Sequence, residues 1–239
     1  IFVLPGLAVG ITGSSVWLAF LVAALCILPA VLSKSELGTA MPKSGGTYVY
    51  IERAFGPLFG TIAGIGLWLS LLLKSAFSLV GLSAYLYVVV NIDEAYTKAI
   101  ALLALLLIFL LNVFGLKKVE KTQLIIVSVS LISLVVIIVL GFSSFDTKLT
   151  EPVFSEGANG FIAGVAFLYI SYAGVTKVAA VAGEIQNPAK NLPLTMIVSL
   201  FLITTIYCMV ALALVGNVES AILATDIKPI HTLFQTIGG

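Results

Sequence analysis

The chain has 239 residues, 60% of them hydrophobic and 10% charged, with a net charge of +1 and a mean hydropathy of +1.18. A soluble domain carries about 25% charged residues, so this composition argues against one. The small net charge argues against a nucleic-acid partner or a polybasic membrane anchor. Cys26 and Cys208 sit inside apolar runs, which suits small buried hydrophobes rather than a disulfide or a metal site.

The apolar residues fall in runs of about 20, the length of a bilayer-spanning helix. A short first segment covers about Ile1 to Gly10, with a bend or end at Pro5-Gly6. The chain opens without Met or a basic leader and is expected to be a piece of a longer protein. The second segment covers about Ser14 to Leu32 and the third about Pro57 to Val90. At 1.5 Å per residue the third would reach about 50 Å, so it must tilt or break within a core of about 30 Å. The fourth covers about Ala99 to Phe114, the fifth Gln123 to Phe142, the sixth Gly160 to Gly183 and the seventh Pro193 to Val215. A partial eighth begins near Pro229. Asn191 is a candidate cap for the seventh, with Pro193 in its first turn.

If the first segment starts in the cytoplasm, the loops on that side hold Lys34, Lys43, Arg53, Lys117, Lys118, Lys121 and Lys190. The opposite loops hold Lys98, Lys148 and Lys228. This asymmetry obeys the positive-inside rule and predicts a multi-pass protein of the cytoplasmic (inner) membrane.

Two places carry chemistry. Lys74 lies mid-segment in Leu71-Leu-Leu-Lys74-Ser-Ala-Phe, where an uncompensated charge costs about 2.5–3.5 kcal/mol. On a helical wheel Gly66, Ser70, Lys74, Ser78, Gly81 and Tyr85 form one small-and-polar stripe. Transport coupling and plain packing both account for such a lysine. The second place is Tyr169-Ile-Ser171-Tyr172-Ala173-Gly174-Val-Thr176-Lys177 in the sixth segment. A mid-membrane break is tolerated where freed backbone groups meet protein, water or ligand. An unbroken helix with small packing residues is the other reading. Lys177 lies nearer the cytoplasmic end and has the reach to snorkel. No nucleophile, metal or phosphate motif occurs, so neither enzymatic activity nor a cofactor is expected.

Four stretches together resemble the amino acid–polyamine–organocation (APC) superfamily of permeases. Ile1-Phe-Val-Leu-Pro-Gly looks like the end of its Gly-x-Gly-Ile-Phe first-helix motif. Ser35-Glu-Leu-Gly38 with Pro42-Lys-Ser-Gly-Gly46-Thr-Tyr48-Val-Tyr50 and Arg53-Ala-Phe-Gly-Pro57 resembles its second-to-third helix junction. Phe167 to Gly174 resembles its broken sixth helix, and Glu184-x-x-Asn187-Pro188 with Pro193 the loop after it.

The resemblance implies an all-α polytopic membrane protein with a LeuT-like five-plus-five inverted-repeat fold, truncated after about seven transmembrane helices. Residues 1–142 would be the first repeat, 143–158 an extracytoplasmic loop and 159–239 part of the second. It implies a permease for amino acids or amines, working by proton coupling or exchange. Ile1 and Phe2 would edge the substrate carboxylate site. Ile170, Ser171, Ala173 and Gly174 would take the amino group and side chain, and Ser70, Leu71, Ser75 and Ser78 would line the pocket from the third helix. Helix N-termini favour an anion and exposed carbonyls an ammonium, which suits a zwitterion. Some relatives carry a coupling lysine in the fifth helix, where this chain has Ser130. Lys74 and Lys177 are the lysines left for coupling, since low dielectric makes an ammonium easier to deprotonate. The mapped pocket has no acidic side chain, which favours neutral amino acids over polyamines. An amino-acid sensor that binds without transport needs the same pocket. A retinal protein would need a lysine in the seventh segment, which has none, and an inorganic-ion carrier would want more acidic or hydroxyl ligands near the breaks.

Overall fold

A computed structural model describes residues 2–43, 45–90, 96–113 and 116–238. Among them the regular structure is helical throughout. Helix α1 (Leu4–Thr12) ends in a 3₁₀ turn (Gly13–Ser15) that leads into α2 (Val16–Ala40). A short α3 (Thr47–Phe55) precedes the long α4 (Pro57–Val90), and α5 (Thr97–Val113) and α6 (Leu116–Ser143) follow. After a 3₁₀ turn (Thr147–Thr150) come α7 (Gly157–Tyr169), two 3₁₀ segments (Ile170–Tyr172 and Val175–Glu184) and α8 (Pro188–Val215). Short helices α9 (Ser220–Leu223) and α10 (Pro229–Gly238) close the described chain.

Among the described residues five stretches are long and apolar enough to cross a membrane: Leu4–Ala40, Pro57–Ser83, Lys121–Ser143, Gly157–Glu184 and Pro188–Val215. The protein is an all-α polytopic membrane protein. Its buried core centres on α2, which packs against α7, α8 and the second 3₁₀ segment. Small residues on α2 (Ala19, Ala23, Ala24) let these neighbours approach, and Phe20, Ile27 and Val31 fill the spaces between them. Asn217 ties the end of α8 to α6 by donating to the Gly141 carbonyl at 2.8 Å. By contrast α4 and α5 present Trp68, Leu69, Leu71–Leu73, Phe77, Leu102, Leu103 and Leu105–Leu110 to the outside. Such a surface suits hydrocarbon or further helices, not water.

Several boundaries differ from expectation; α6, for one, begins at Leu116 rather than Gln123. Helix α2 runs on past Leu32 through Lys34, Ser35 and Glu36 to Ala40. Polar residues in the last turns of a helix keep its hydrogen bonds intact, and the stop comes just before Pro42. Helix α8 begins at Pro188, not Pro193, with Asn187 at its N-cap in a left-handed conformation (φ 49°). Proline at the first helical position loses no hydrogen bond, because that N–H has no intrahelical acceptor. Asn191 is therefore not the cap; its amide donates to the Gln186 carbonyl at 2.6 Å.

Candidate functional site

The sixth segment is interrupted where its Ser, Tyr and Gly residues cluster. The α-helical pattern stops at Tyr169, and 3₁₀ geometry takes over from Ile170. The Ala173 N–H donates to the Ile170 carbonyl (3.3 Å) and the Lys177 N–H to the Gly174 carbonyl (3.0 Å). Val175–Glu184 continues in 3₁₀ geometry as two pieces joined across a kink at Val181 (φ −108°, ψ 19°). Runs beyond three or four residues are uncommon because 3₁₀ hydrogen bonds have poorer geometry, and mid-helix examples often mark hinges. The break is a tightening of the coil rather than an extended gap: Ile170, Ala173 and Gly174 all keep right-handed helical angles.

Each side of this interruption is anchored separately. On the first side Tyr172 is fully buried, and its hydroxyl donates to the Phe20 carbonyl of α2 at 3.0 Å. Its ring meets Phe20 and Tyr207 at centroid distances of 6.5 and 5.7 Å. On the second side the Gly45-Gly46 pair before α3 lies against Ala180. The Gly45 N–H donates to the Ala180 carbonyl (3.0 Å). A Cβ on Gly46, whose φ is +55°, would lie 3.0 Å from Ala180 Cα, so only glycine allows this approach. The Tyr50 hydroxyl donates to the Ala179 carbonyl at 3.3 Å. Burial raises the pKa of Tyr50 above the ordinary phenol value, which keeps it a donor. The glycine- and tyrosine-containing junction is thus a cradle for the second half of the broken helix.

The expected site residues fall into three groups. Ile1 lies outside the described residues. Phe2 is half-buried, accepts a hydrogen bond on its carbonyl from the Tyr85 hydroxyl (2.6 Å), and meets the Tyr85 ring edge-on at 6.0 Å. At the break, Ile170 and Gly174 are exposed and Ala173 is half-buried. The Ser171 hydroxyl oxygen is buried and has no hydrogen-bond partner. On α4, Ser70, Leu71, Ser75 and Ser78 are exposed, and the Ser75 hydroxyl bonds back to the Leu71 carbonyl of its own helix (2.9 Å).

Lys74 is exposed rather than buried. At its far end the stripe on α4 meets the start of the chain: a Cβ on Gly81 would come 3.0 Å from Val3 Cγ2, and Tyr85 bonds Phe2. Three contributors escaped the sequence reading of the site. Tyr85 was on the stripe but was given no role. Lys34, counted as a loop charge, has its Nζ 3.4 Å from the Thr176 hydroxyl. Thr176 in turn donates to the Ala173 carbonyl at 3.2 Å. Among the described residues no cluster of His, Cys, Asp and Glu could hold a metal ion.

An amino acid permease family model matches residues 1–239. The chain is 28% identical to the vacuolar cationic amino acid transporter 8 of Arabidopsis thaliana, covering 92% of this chain and 40% of that protein. It is 27% identical to the branched-chain amino acid permease BcaP of Bacillus subtilis (strain 168), covering 100% and 55%. To the serine/threonine exchanger SteT of the same bacterium it is 29% identical, covering 100% and 57%. The chain thus spans about half the length of these relatives. With a family model matched over its whole length and the helix break and junction motifs in place, this chain belongs to the amino acid permease family of the APC superfamily.

Proposed function

We propose that the protein is a secondary active transporter that carries neutral amino acids across the cytoplasmic membrane by alternating access, with proton coupling or exchange. Residues 1–142 form its first inverted repeat and 159–239 open the second, with the first segment entering from the cytoplasmic side. The observation that carries this reading is the buried, unpartnered Ser171 hydroxyl at the step from α-helix to 3₁₀. Leaving such a group unsatisfied costs about 1–3 kcal/mol, a cost that a polar substrate group bonded there would remove. Separate anchoring of the two halves, by Tyr172 on α2 and by Gly46 and Tyr50 beside Ala179 and Ala180, supports a hinge at Ala173-Gly174.

In this reading Ser171, Ala173 and Gly174 hold the substrate with Ile170, and Phe2 edges its carboxylate together with Ile1. Ser70, Leu71, Ser75 and Ser78 close the pocket from α4, and Lys74 or Lys177 carries the coupling proton. Two of the relatives above are named for branched-chain amino acids or for serine and threonine, which supports neutral substrates. The test is uptake of labelled amino acids into proteoliposomes of the full-length protein, with and without an inward proton gradient. Gradient-stimulated uptake of neutral amino acids is the expected result. Uptake confined to preloaded vesicles would assign exchange, and binding without any uptake would replace transport with sensing.

A further inference from the structure

Helix α2 lies beside the 3₁₀ arm that follows the break, and the two match turn for turn. The Lys34 Nζ is 3.4 Å from the Thr176 hydroxyl oxygen. One α-turn further along α2, a Cβ on Gly38 would lie 3.8 Å from the Ala179 Cβ, and Ala179 stands one 3₁₀ turn beyond Thr176. Four residues of α-helix rise about 6 Å, and three residues of 3₁₀ helix rise the same distance. Residues three apart also eclipse in a 3₁₀ helix, so Thr176 and Ala179 both face α2. In an α-helix they would diverge by about 60° around the axis. The two contacts are consecutive rungs of one interface, and the 3₁₀ coil is what brings them into step.

The rungs differ in kind. Gly38 and Ala179 are buried, and the Tyr50 hydroxyl bonds the Ala179 carbonyl at 3.3 Å, so that rung is fixed by packing. The Lys34 rung is polar. Lys34 is half-buried and lies in a stretch apolar enough to cross a membrane, where its ammonium needs an acceptor. The Thr176 hydroxyl gives its one proton to the Ala173 carbonyl (3.2 Å) and so meets Lys34 with a lone pair. The ammonium polarises that hydroxyl and strengthens its hold on Ala173. A cation on α2 thus acts, through one side chain, on a carbonyl at the break itself.

We propose that Lys34 is a positioning residue that keeps residues 174–180 docked on α2 in their 3₁₀ coil, and that loss of its bond to Thr176 releases this part of the arm. The inference rests on the fit between α2 and the arm and does not need transport to occur. The first half of the broken helix has its own anchor, from Tyr172 to the Phe20 carbonyl, and stays in place when the arm is released.

Amide hydrogen exchange on the purified full-length protein in detergent reads this without any uptake. Lys34→Met keeps an unbranched apolar stem and removes the charge. In that variant peptides covering residues 174–184 should exchange about tenfold faster than in wild type, while peptides from α7 keep their wild-type rates. Thr176→Val should match Lys34→Met, and the double variant should add nothing beyond either single one. Lys34→Arg and Thr176→Ser keep a donor and an acceptor and should keep the protection, which a role in packing alone would not explain. Wild-type exchange of the arm in Lys34→Met, equal acceleration in α7, or additive effects in the double variant would each overturn the proposal.

Discussion

Replacing Gly46 with alanine tests whether the junction before α3 holds the second half of the broken helix. Gly46 has φ 55° and ψ −127°, a conformation that costs a residue with a Cβ about 1–3 kcal/mol. The new methyl would also lie 3.0 Å from Ala180 Cα and 3.1 Å from its Cβ. Both are fixed by a packed backbone, so the contact adds about 1–3 kcal/mol of overpacking. Gly56 supplies an internal control. It too has positive φ, 89°, but a Cβ there would meet nothing within 4 Å. Gly56→Ala should therefore carry the conformational cost alone, and Gly46→Ala should exceed it by about 1–3 kcal/mol. A difference of 1.4 kcal/mol is about tenfold in an equilibrium. The readouts are thermal unfolding of the purified protein and initial uptake rates in proteoliposomes. If Gly46→Ala proves no more damaging than Gly56→Ala in either assay, the cradle does not hold the broken helix.

Ser171→Ala should leave the substrate-free protein as stable or up to about 1 kcal/mol more stable, because it deletes a buried hydroxyl with no partner. Substrate affinity should fall together with this, so paired melting and binding curves check both halves; a clear loss of stability would contradict the reasoning. Tyr172→Phe should destabilise by about 0.5–1.5 kcal/mol in thermal unfolding, since it removes a buried hydrogen bond to the Phe20 carbonyl, which keeps its helical partner within α2. Lys74→Met should abolish the response of uptake to an inward proton gradient, and an unchanged response would remove Lys74 as the coupling group.

The sequence was most legible where chemistry and periodicity agreed over many residues. The unbroken apolar run from Pro57 to Val90 is one helix of 34 residues, because no breaker or charge pair interrupts it before its end. The clustering of Ser171, Tyr172 and Gly174 allowed either a break in the sixth segment or an unbroken helix with small packing residues, and the 3₁₀ geometry from Ile170 decides for the break. What stayed hidden depended on tertiary packing. Nothing local says that Lys34 continues a helix rather than ending one, nor that it reaches Thr176, 142 positions away in sequence. Pro188 and Pro193 are both plausible first-turn prolines, and the left-handed Asn187 decides between them. The stripe on α4 identified Lys74 and Tyr85 as neighbours on one face. That Tyr85 meets Phe2 follows from how the end of α4 lies against the residues before α1, and no periodicity reports that.

The 3₁₀ stretch that begins at Val175 bends at Val181, and its tight coil before that bend also works as a ruler. At about 2.0 Å per residue, residues 175–180 extend about 12 Å, where an α-helix of the same length would extend about 9 Å. Three residues per turn instead of 3.6 also means that recoiling to α would unwind one end against the other by roughly a third of a turn. Such a conversion would draw Ala179 and Ala180 about 3 Å toward Tyr172, and with them the Gly45 and Tyr50 groups bonded to their carbonyls. A change of coil inside one short segment is therefore passed on to α3 through the hydrogen bonds of the cradle.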